Sequence, residues 1–329
     1  MGTKPPPSLR VTVPAAPQPQ EIHFLLMPGF SVMGFVSAIE PLRVANRFKP
    51  DAYRWTILSL DGGPVTASNG MSLNADGAFG EAGAAQTVFV VAANHPLEHY
   101  QARLAIWLRA TYNRGATLGA IDTGAFLLAE AGLLGSDPVT LHWEALSAFT
   151  ERYPQIRVTE ELFQIGTRCI TGAGGTSGID MMLALIAHKH GRELATRVSE
   201  QFVLGRIRSQ SDHQRMEIAA RYGLHNSKTI QVVRLMQQHI EDPLPVDDLA
   251  RLISVTRRQL ERLFSAHLRD TPSHFYARVR LERARELLRE TDMGILAVGV
   301  ACGFASASHF SRAYRKYFGL SPKEDRGAP

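Results

Sequence analysis

The sequence predicts two domains of different class: an α/β unit with a parallel sheet, then an all-α unit made of two helix-turn-helix elements. Three observations lead there. Short apolar runs alternate with amphipathic stretches from Glu21 to about Gly191. From Asn226 onward every apolar pattern has the helical period. That second stretch also repeats itself at an offset of 49 to 50 residues.

The totals agree with this division. A chain of 329 residues suits two domains, and 45% hydrophobic with 20% charged residues gives each half enough to bury a core. No apolar run approaches the roughly 18 residues of a membrane span. Met1–Gln20 carries six prolines and no apolar core of a signal peptide, so a disordered tail over 1–20 is expected. The two cysteines, Cys169 and Cys302, have no metal-ligand spacing; a reduced, cytoplasmic setting without metal or cofactor is the expectation. Charge is unevenly placed. Asn226–Lys323 holds 16 Lys and Arg against 10 Asp and Glu, so it carries +6 within a chain of +5 and leaves the remainder near neutral. A small-molecule domain beside a polyanion-binding one fits that asymmetry.

In the first domain (21–191), Ile22–Met27 reads as a buried strand, followed by Pro28-Gly29 and a helix from about Val32 to Arg47. Tyr53–Leu60 and Thr87–Ala92 are further strands, Leu97–Asn113 is helical, Ala116–Ile121 is a strand, and Gly124–Gly132 opens a helix directly after it. Leu162–Thr171 reads as a late hairpin, and Thr176 or Ser177 is the expected cap of the helix through Ile179–His190. The polar stretch 192–225 is expected to be a helical linker. The second domain (226–323) is punctuated by Pro243, Pro245, Pro272 and Pro322.

Within that domain Leu249-Ala250 and Ser254-Val255 are echoed by Val298-Gly299 and Gly303-Phe304. After one inserted residue, Leu260, Arg262 and Phe264 are echoed by Phe310, Arg312 and Tyr314. A small residue (Ala250, Gly299) lets two helices cross closely, and four residues on Ser254 or Gly303 makes the sharp turn. Thr256 and Ser306 are placed to cap the second helix of each pair. Those helices present Arg257, Arg258, Glu261 and Arg262 in one unit, and Ala307, Ser308, His309, Ser311 and Arg312 in the other, side chains able to read base edges or hold phosphates. One such unit would suggest an ordinary helical bundle; two at a near-constant offset favour DNA binding.

With Pro272-x3-Tyr276, Arg280-Leu281-x2-Ala284-x2-Leu287-Leu288 and Gly303-Phe304-x4-His309-Phe310-x-Arg312-x5-Phe318-Gly319-x-Ser321-Pro322, the stretch Asn226–Lys323 resembles the AraC/XylS DNA-binding domain. The resemblance implies two recognition helices in adjacent major grooves, about 34 Å apart, and implies double-stranded DNA and RNA polymerase as partners. Ser254 stands where many members have Gly.

In the first domain, Ala116–Leu134 reads as strand, sharp turn and helix, an elbow that pushes one residue above the sheet beside helical N–H groups. The segment resembles the PfpI-like domains of the class I glutamine amidotransferase superfamily, where the elbow residue is a nucleophilic cysteine. Here it is Asp122. Gly34 stands where that superfamily's enzymes carry an acid, and Thr140-Leu141-His142-Trp143 matches the segment supplying a nearby His. With Asp122 in place of the thiol, a flavodoxin-like sensor with no catalytic residue is expected, the alternative being a PfpI-type hydrolase or amidotransferase fused to a DNA-binding domain. Leu26-Met27-Pro28-Gly29-Phe30, Glu40-Pro41-Leu42-Arg43-x-Ala45-Asn46, Ala67-Ser68-Asn69-Gly70 and His142-Trp143-Glu144 extend the likeness to the GlxA-type regulators over roughly Glu21–Lys323. It implies an activating homodimer and a small-molecule inducer. Within that group the chain looks most similar to regulators of choline-derived compounds such as glycine betaine and carnitine, with arginine sensors as the runner-up.

Ligand candidates follow. Asp122, with Thr123 beside it, faces a ligand cation or caps the next helix, and the elbow favours the ligand. Trp143 stacks on a trimethylammonium head or belongs to the core. His142 is a neighbour of the site or only a satisfied polar residue. Phe30 and Met33 follow the first strand, at the carboxyl edge where parallel sheets bind ligands, although core packing suits Met33 equally. Glu40 lines the pocket or pairs with Arg43. Gly174-Gly175-Thr176 lacks the context of a phosphate loop. Cys169 is expected to be a small buried hydrophobe.

Overall fold

The computed structural model describes residues 18–215, 218–291 and 293–326. Residues 1–17 of the expected tail lie outside them, and Gln20 already opens the first strand.

The first domain runs β1 (Gln20–Leu26), α1 (Val32–Phe48), β2 (Tyr53–Ser59), β3 (Val65–Thr66), β4 (Ser72–Leu73), β5 (Gly77–Ala78), β6 (Thr87–Ala92), α2 (Ala102–Asn113), β7 (Thr117–Asp122), α3 (Ala125–Glu130), α4 (Leu146–Arg152), β8 (Phe163–Ile165), β9 (Cys169–Gly172), α5 (Ser177–His190) and α6 (Arg192–Gln201). The main sheet has the order β5-β2-β1-β6-β7-β9-β8, parallel except for the β8/β9 hairpin. Alternation along the central strands divides the core. Phe24, Leu26, Phe89 and Val91 pack under α1, α5 and α6, whereas Leu25, Met27, Val88 and Val90 pack under α2, α3 and α4. The result is the flavodoxin-like, doubly covered sheet expected.

Three local expectations differ from the structure. The α2 helix starts at Ala102, because Leu97–Tyr100 form turns closed by Glu98 N–H to His95 and Tyr100 N–H to Leu97. The elbow helix α3 is short, covering Ala125–Glu130. Thr176 holds the N-cap position of α5, but its side chain makes no capping bond. The Ser177 hydroxyl donates to the Gly174 carbonyl at 2.7 Å, and the Thr176 hydroxyl accepts from Arg208 at 3.0 Å.

The stretch expected as a linker is packed. In α6, Leu194, Ala195 and Val198 are buried against α1 and α5. Beyond it the chain folds back across the sheet edge as a strap. Arg208 bonds the buried Asp180 carboxylate through Nε at 2.9 Å and Nη2 at 2.7 Å, and its backbone N–H donates to the same group. Gln214 then reaches Thr140, Leu141 and Glu161 through its amide nitrogen. These polar contacts carry no apolar period, which is why the sequence pattern reads as unattached chain.

The helical domain comprises α7 (Ile218–Arg221), α8 (Ser227–Gln238), α9 (Val246–Leu252), α10 (Arg257–Leu268), α11 (Pro272–Glu290), α12 (Ile295–Ala301), α13 (Ala307–Phe318) and α14 (Pro322–Arg326). The repeat is realised element by element. Both α9 and α12 have seven residues, and both α10 and α13 have twelve. Ser254 and Gly303 take the left-handed conformation at φ 55° and 71°. Thr256 and Ser306 accept from the N–H three residues on, as a capping role requires. Ala305, between Phe304 and the cap Ser306, is the inserted residue. The long helix α11 serves two cores: Phe275, Tyr276 and Val279 join the first unit, and Leu281, Ala284, Leu287 and Leu288 the second.

Candidate functional site

The second helix of each unit exposes a polar face because its apolar residues are used inward. On α10, Leu260 and Phe264 are buried, leaving Arg257, Arg258, Glu261 and Arg262 exposed. Arg257 is already engaged, through Glu261 at 3.1 Å and Asp247 at 3.4 Å. Arg258 and Arg262 have no ion-pair partner among the described residues. On α13, Phe310 and Tyr314 point inward and Ala307, Ser308, His309 and Arg312 are exposed. Ser311 is half-buried, so it offers less surface than the sequence suggests. Arg312 touches the Ser308 carbonyl at 3.3 Å, and the His309 ring meets Phe304 edge-on at 5.7 Å.

One residue that sequence reading missed holds the second unit together. Asp325, just past the expected domain end, is fully buried and accepts from Tyr314 at 2.8 Å and Arg289 at 2.6 Å, with Arg285 at 2.9 Å. Burial pushes its pKa up, but the bonds from Arg289 and Tyr314 and the two guanidinium charges outweigh that and hold the carboxyl below its ordinary value. Thus α14 is clamped to α11 and α13.

In the first domain Asp122 occupies a true elbow. It is a non-glycine residue at φ 62° at the end of β7, ahead of α3, which costs about 1–2 kcal/mol in an L-residue. The turn is tight. A Cβ on Gly174 would stand 2.6 Å from the Asp122 carboxylate, and Thr123 donates to the Ala93 carbonyl at 2.5 Å. Asp122 is only 8% exposed. Gly34 begins α1 without any carboxylate, and its N–H is taken by the Ser31 hydroxyl. The thiols of Cys169 and Cys302 lie elsewhere, each pushed up to about 12 by burial.

The remaining candidates separate. Phe30 is fully buried and packs edge-on against Phe35 at 6.2 Å. Met33 is 56% exposed, which removes its core alternative. Glu40 pairs with Arg43 at 2.7 Å. His142 is largely covered, and that burial lowers its pKa; its ring lies beside Trp143 at 5.7 Å, with Glu144 at 3.7 Å. Trp143 begins a single 3-10 turn, Trp143–Ala145, that meets α11 of the helical domain. Its indole carries the Arg215 guanidinium, 4.1 Å from the ring centroid. Trp143 and Arg215 line a cavity of about 480 Å³ between the domains, with Arg221, Tyr222, Arg234 and Glu286 on the other wall; Asp122 and Thr123 do not line it. The expected pairing of Asp122 and Trp143 around one ligand is therefore not seen there. Arg215 was missed because it lies 72 residues from Trp143 in a stretch without periodicity.

Comparison with known proteins gives the family. The DJ-1/PfpI family model matches residues 20–188, and a helix-turn-helix domain model matches residues 249–328. The HTH-type transcriptional regulator CdhR of Pseudomonas aeruginosa is 59% identical over 93% of this chain and 91% of its own. The regulator ArgR of the same species is 38% identical over 94% and 93%. The crystal structure of an AraC family transcriptional regulator from Pseudomonas putida, 28% identical, superposes with a TM-score of 0.53 on 56% of this chain and all of that one. The chain thus belongs to the AraC-type helix-turn-helix transcriptional regulators that carry an N-terminal DJ-1/PfpI domain, the GlxA-type group.

Proposed function

We propose that this DNA-binding regulator acts in the cytoplasm as a homodimer and is controlled by a small cationic or zwitterionic metabolite, a choline-derived quaternary amine first among the candidates. The observation that carries the DNA half is the duplication of a capped helix-turn-helix, with α10 and α13 as the reading helices. Arg258, Arg262 and Arg312 are their base- or phosphate-contacting cations, and Arg257, Glu261, Ser308 and His309 the flanking contacts. Bidentate guanine recognition is the natural use of such an arginine.

The metabolite half is supported by Trp143, whose indole face already holds a cation at a stacking distance. The first domain is a sensor without turnover. Acyl transfer at an elbow needs a thiolate, and Asp122 is a carboxylate there. Thermal-shift screening of the full chain tests this half. A metabolite present at 100 times its Kd stabilises the native state by roughly 2.7 kcal/mol; a flat response to glycine betaine, carnitine and dimethylglycine, with a shift from arginine, would make the arginine-sensor reading the correct one.

A further inference from the structure

We infer that Arg280 and Gly303 form a joint between the two helix-turn-helix units that fixes the spacing and tilt of α10 and α13, and that both act as positioning residues for the reading of adjacent grooves. This rests on α10 and α13 both reading DNA and adds to it what holds them at one set distance.

The repeat departs from itself at the place where its two units meet. Ser254 and Gly303 occupy the same turn, and both have positive φ, at 55° and 71°. Ser254 is exposed and carries a side chain in that conformation, so the left-handed turn does not by itself demand glycine. Gly303 instead faces the loop between α8 and α9. A Cβ there would lie 2.5 Å from Cγ of Pro243 and 2.6 Å from the Ile240 carbonyl oxygen. The turn of the second unit is thus seated directly on the first unit. Ile240 packs against both cores, and the Tyr276 hydroxyl donates to the His239 carbonyl, which ties the same loop to α11.

Arg280 closes this joint from α11. Its guanidinium carbon lies 4.4 Å from the ring centroid of Phe304, in the turn of the second unit, and 5.9 Å from that of Tyr276, in the core of the first. Both distances are within cation–π reach. Among the described residues no carboxylate pairs with Arg280, and its buried Nε meets no acceptor. Burial also lowers its pKa, the sign of a cation held where charge is disfavoured. The side chain is held by the two rings, one from each unit, so rocking one unit on the other breaks a contact. Phe304 stands just before Ser306, the cap of α13, so a fixed Phe304 fixes where the second reading helix starts.

A stiff joint has a measurable consequence. One inserted base pair shifts the second groove by about 3.4 Å and rotates it by about a tenth of a turn. Rigidly joined units lose affinity steeply on such a change, whereas loosely joined ones average over spacings and lose effective concentration at the right one.

Binding titrations of the full-length protein test the inference on three DNAs: a site selected from random sequence, that site with one base pair inserted between the two segments one chain protects, and that site with the second segment scrambled. The variants are Arg280→Met, which keeps the bulk and removes the cation, and Arg280→Lys, which keeps a cation without the planar guanidinium. Amide hydrogen exchange confirms that both cores are folded. Wild type should bind the inserted site at least about tenfold more weakly than the selected one. For Arg280→Met that penalty should shrink below about threefold, with weaker binding of the selected site and unchanged binding of the scrambled one. Arg280→Lys should fall between, and its smaller penalty carries the test if Arg280→Met does not fold. A full insertion penalty in the folded variants would overturn the joint alone. So would weaker binding of the scrambled site, which would make Arg280 a direct DNA contact. Wild type indifferent to scrambling would overturn reading by both helices, and this inference with it.

Discussion

Replacing Gly303 with Ala should damage the second helix-turn-helix far more than any single methyl group ordinarily does. Gly303 sits at φ 71°, and a Cβ there would lie 2.5 Å from Cγ of Pro243 and 2.6 Å from the Ile240 carbonyl oxygen. The backbone term is about 1–2 kcal/mol for an L-residue in the left-handed region. Forcing a methyl against a proline ring and a backbone carbonyl adds about 1–3 kcal/mol of overpacking, so a loss of about 2–5 kcal/mol is expected. The repeat provides an internal control. Ser254 fills the same turn of the first unit at φ 55° and already carries a side chain, so Ser254→Ala should change stability by less than about 0.5 kcal/mol. Amide hydrogen exchange read separately on α9–α10 and α12–α13 is the assay, because it resolves the two cores. Loss of protection confined to α12–α13 in Gly303→Ala supports the reasoning. Unchanged protection there, or an equal loss from Ser254→Ala, would refute it.

Three further outcomes follow from the same geometry. The folded pKa of Asp325 is depressed, so its contribution to stability is complete above the unfolded carboxyl value of about 4 and is lost as pH falls through the lower folded value. Asp325→Asn should flatten that part of the acid-unfolding curve, and an unaltered curve would deny the clamp. Arg208→Ala leaves the buried Asp180 with the backbone N–H of residue 208 but without its guanidinium and should destabilise the first domain by about 3 kcal/mol, near the low end for such pairs because Arg208 itself is partly exposed; an unchanged midpoint in urea would show the strap to be incidental. Amidase, protease and deglycase assays should register no turnover, and an activity abolished by Asp122→Asn would instead make that carboxylate a nucleophile or base.

The parts legible in the sequence are those written in local periodicity. Phe24 and Leu25 belong to opposite faces of one strand, and the run around them announces a strand buried on both sides. The helix-turn-helix repeat is visible because each unit needs a small crossing residue, a turn residue and a cap at fixed spacing, and Ala250, Ser254 and Thr256 recur as Gly299, Gly303 and Ser306. The elbow at Asp122 was legible as a strand running directly into a helix. What escaped depends on pairs far apart in the chain. Asp180 with Arg208, Trp143 with Arg215, and Asp325 with Tyr314, Arg285 and Arg289 are single polar contacts between elements, and no window of sequence contains both partners of the first two. Phe30 is a related case. Its place after β1 matches a ligand loop, but its side chain turns under α1 onto Phe35.

The central claim is that α10 and α13 read DNA together. Its most direct test is footprinting of the full-length protein on sites selected from random-sequence DNA, for wild type and for the Arg258→Ala, Arg312→Ala double variant. Two protected major-groove segments about one helical turn, roughly 10 base pairs, apart are expected. Each arginine that contacts guanine should cost about 1–3 kcal/mol when removed and relax preference at its own position. An unchanged footprint and unchanged sequence preference in the double variant would contradict the account.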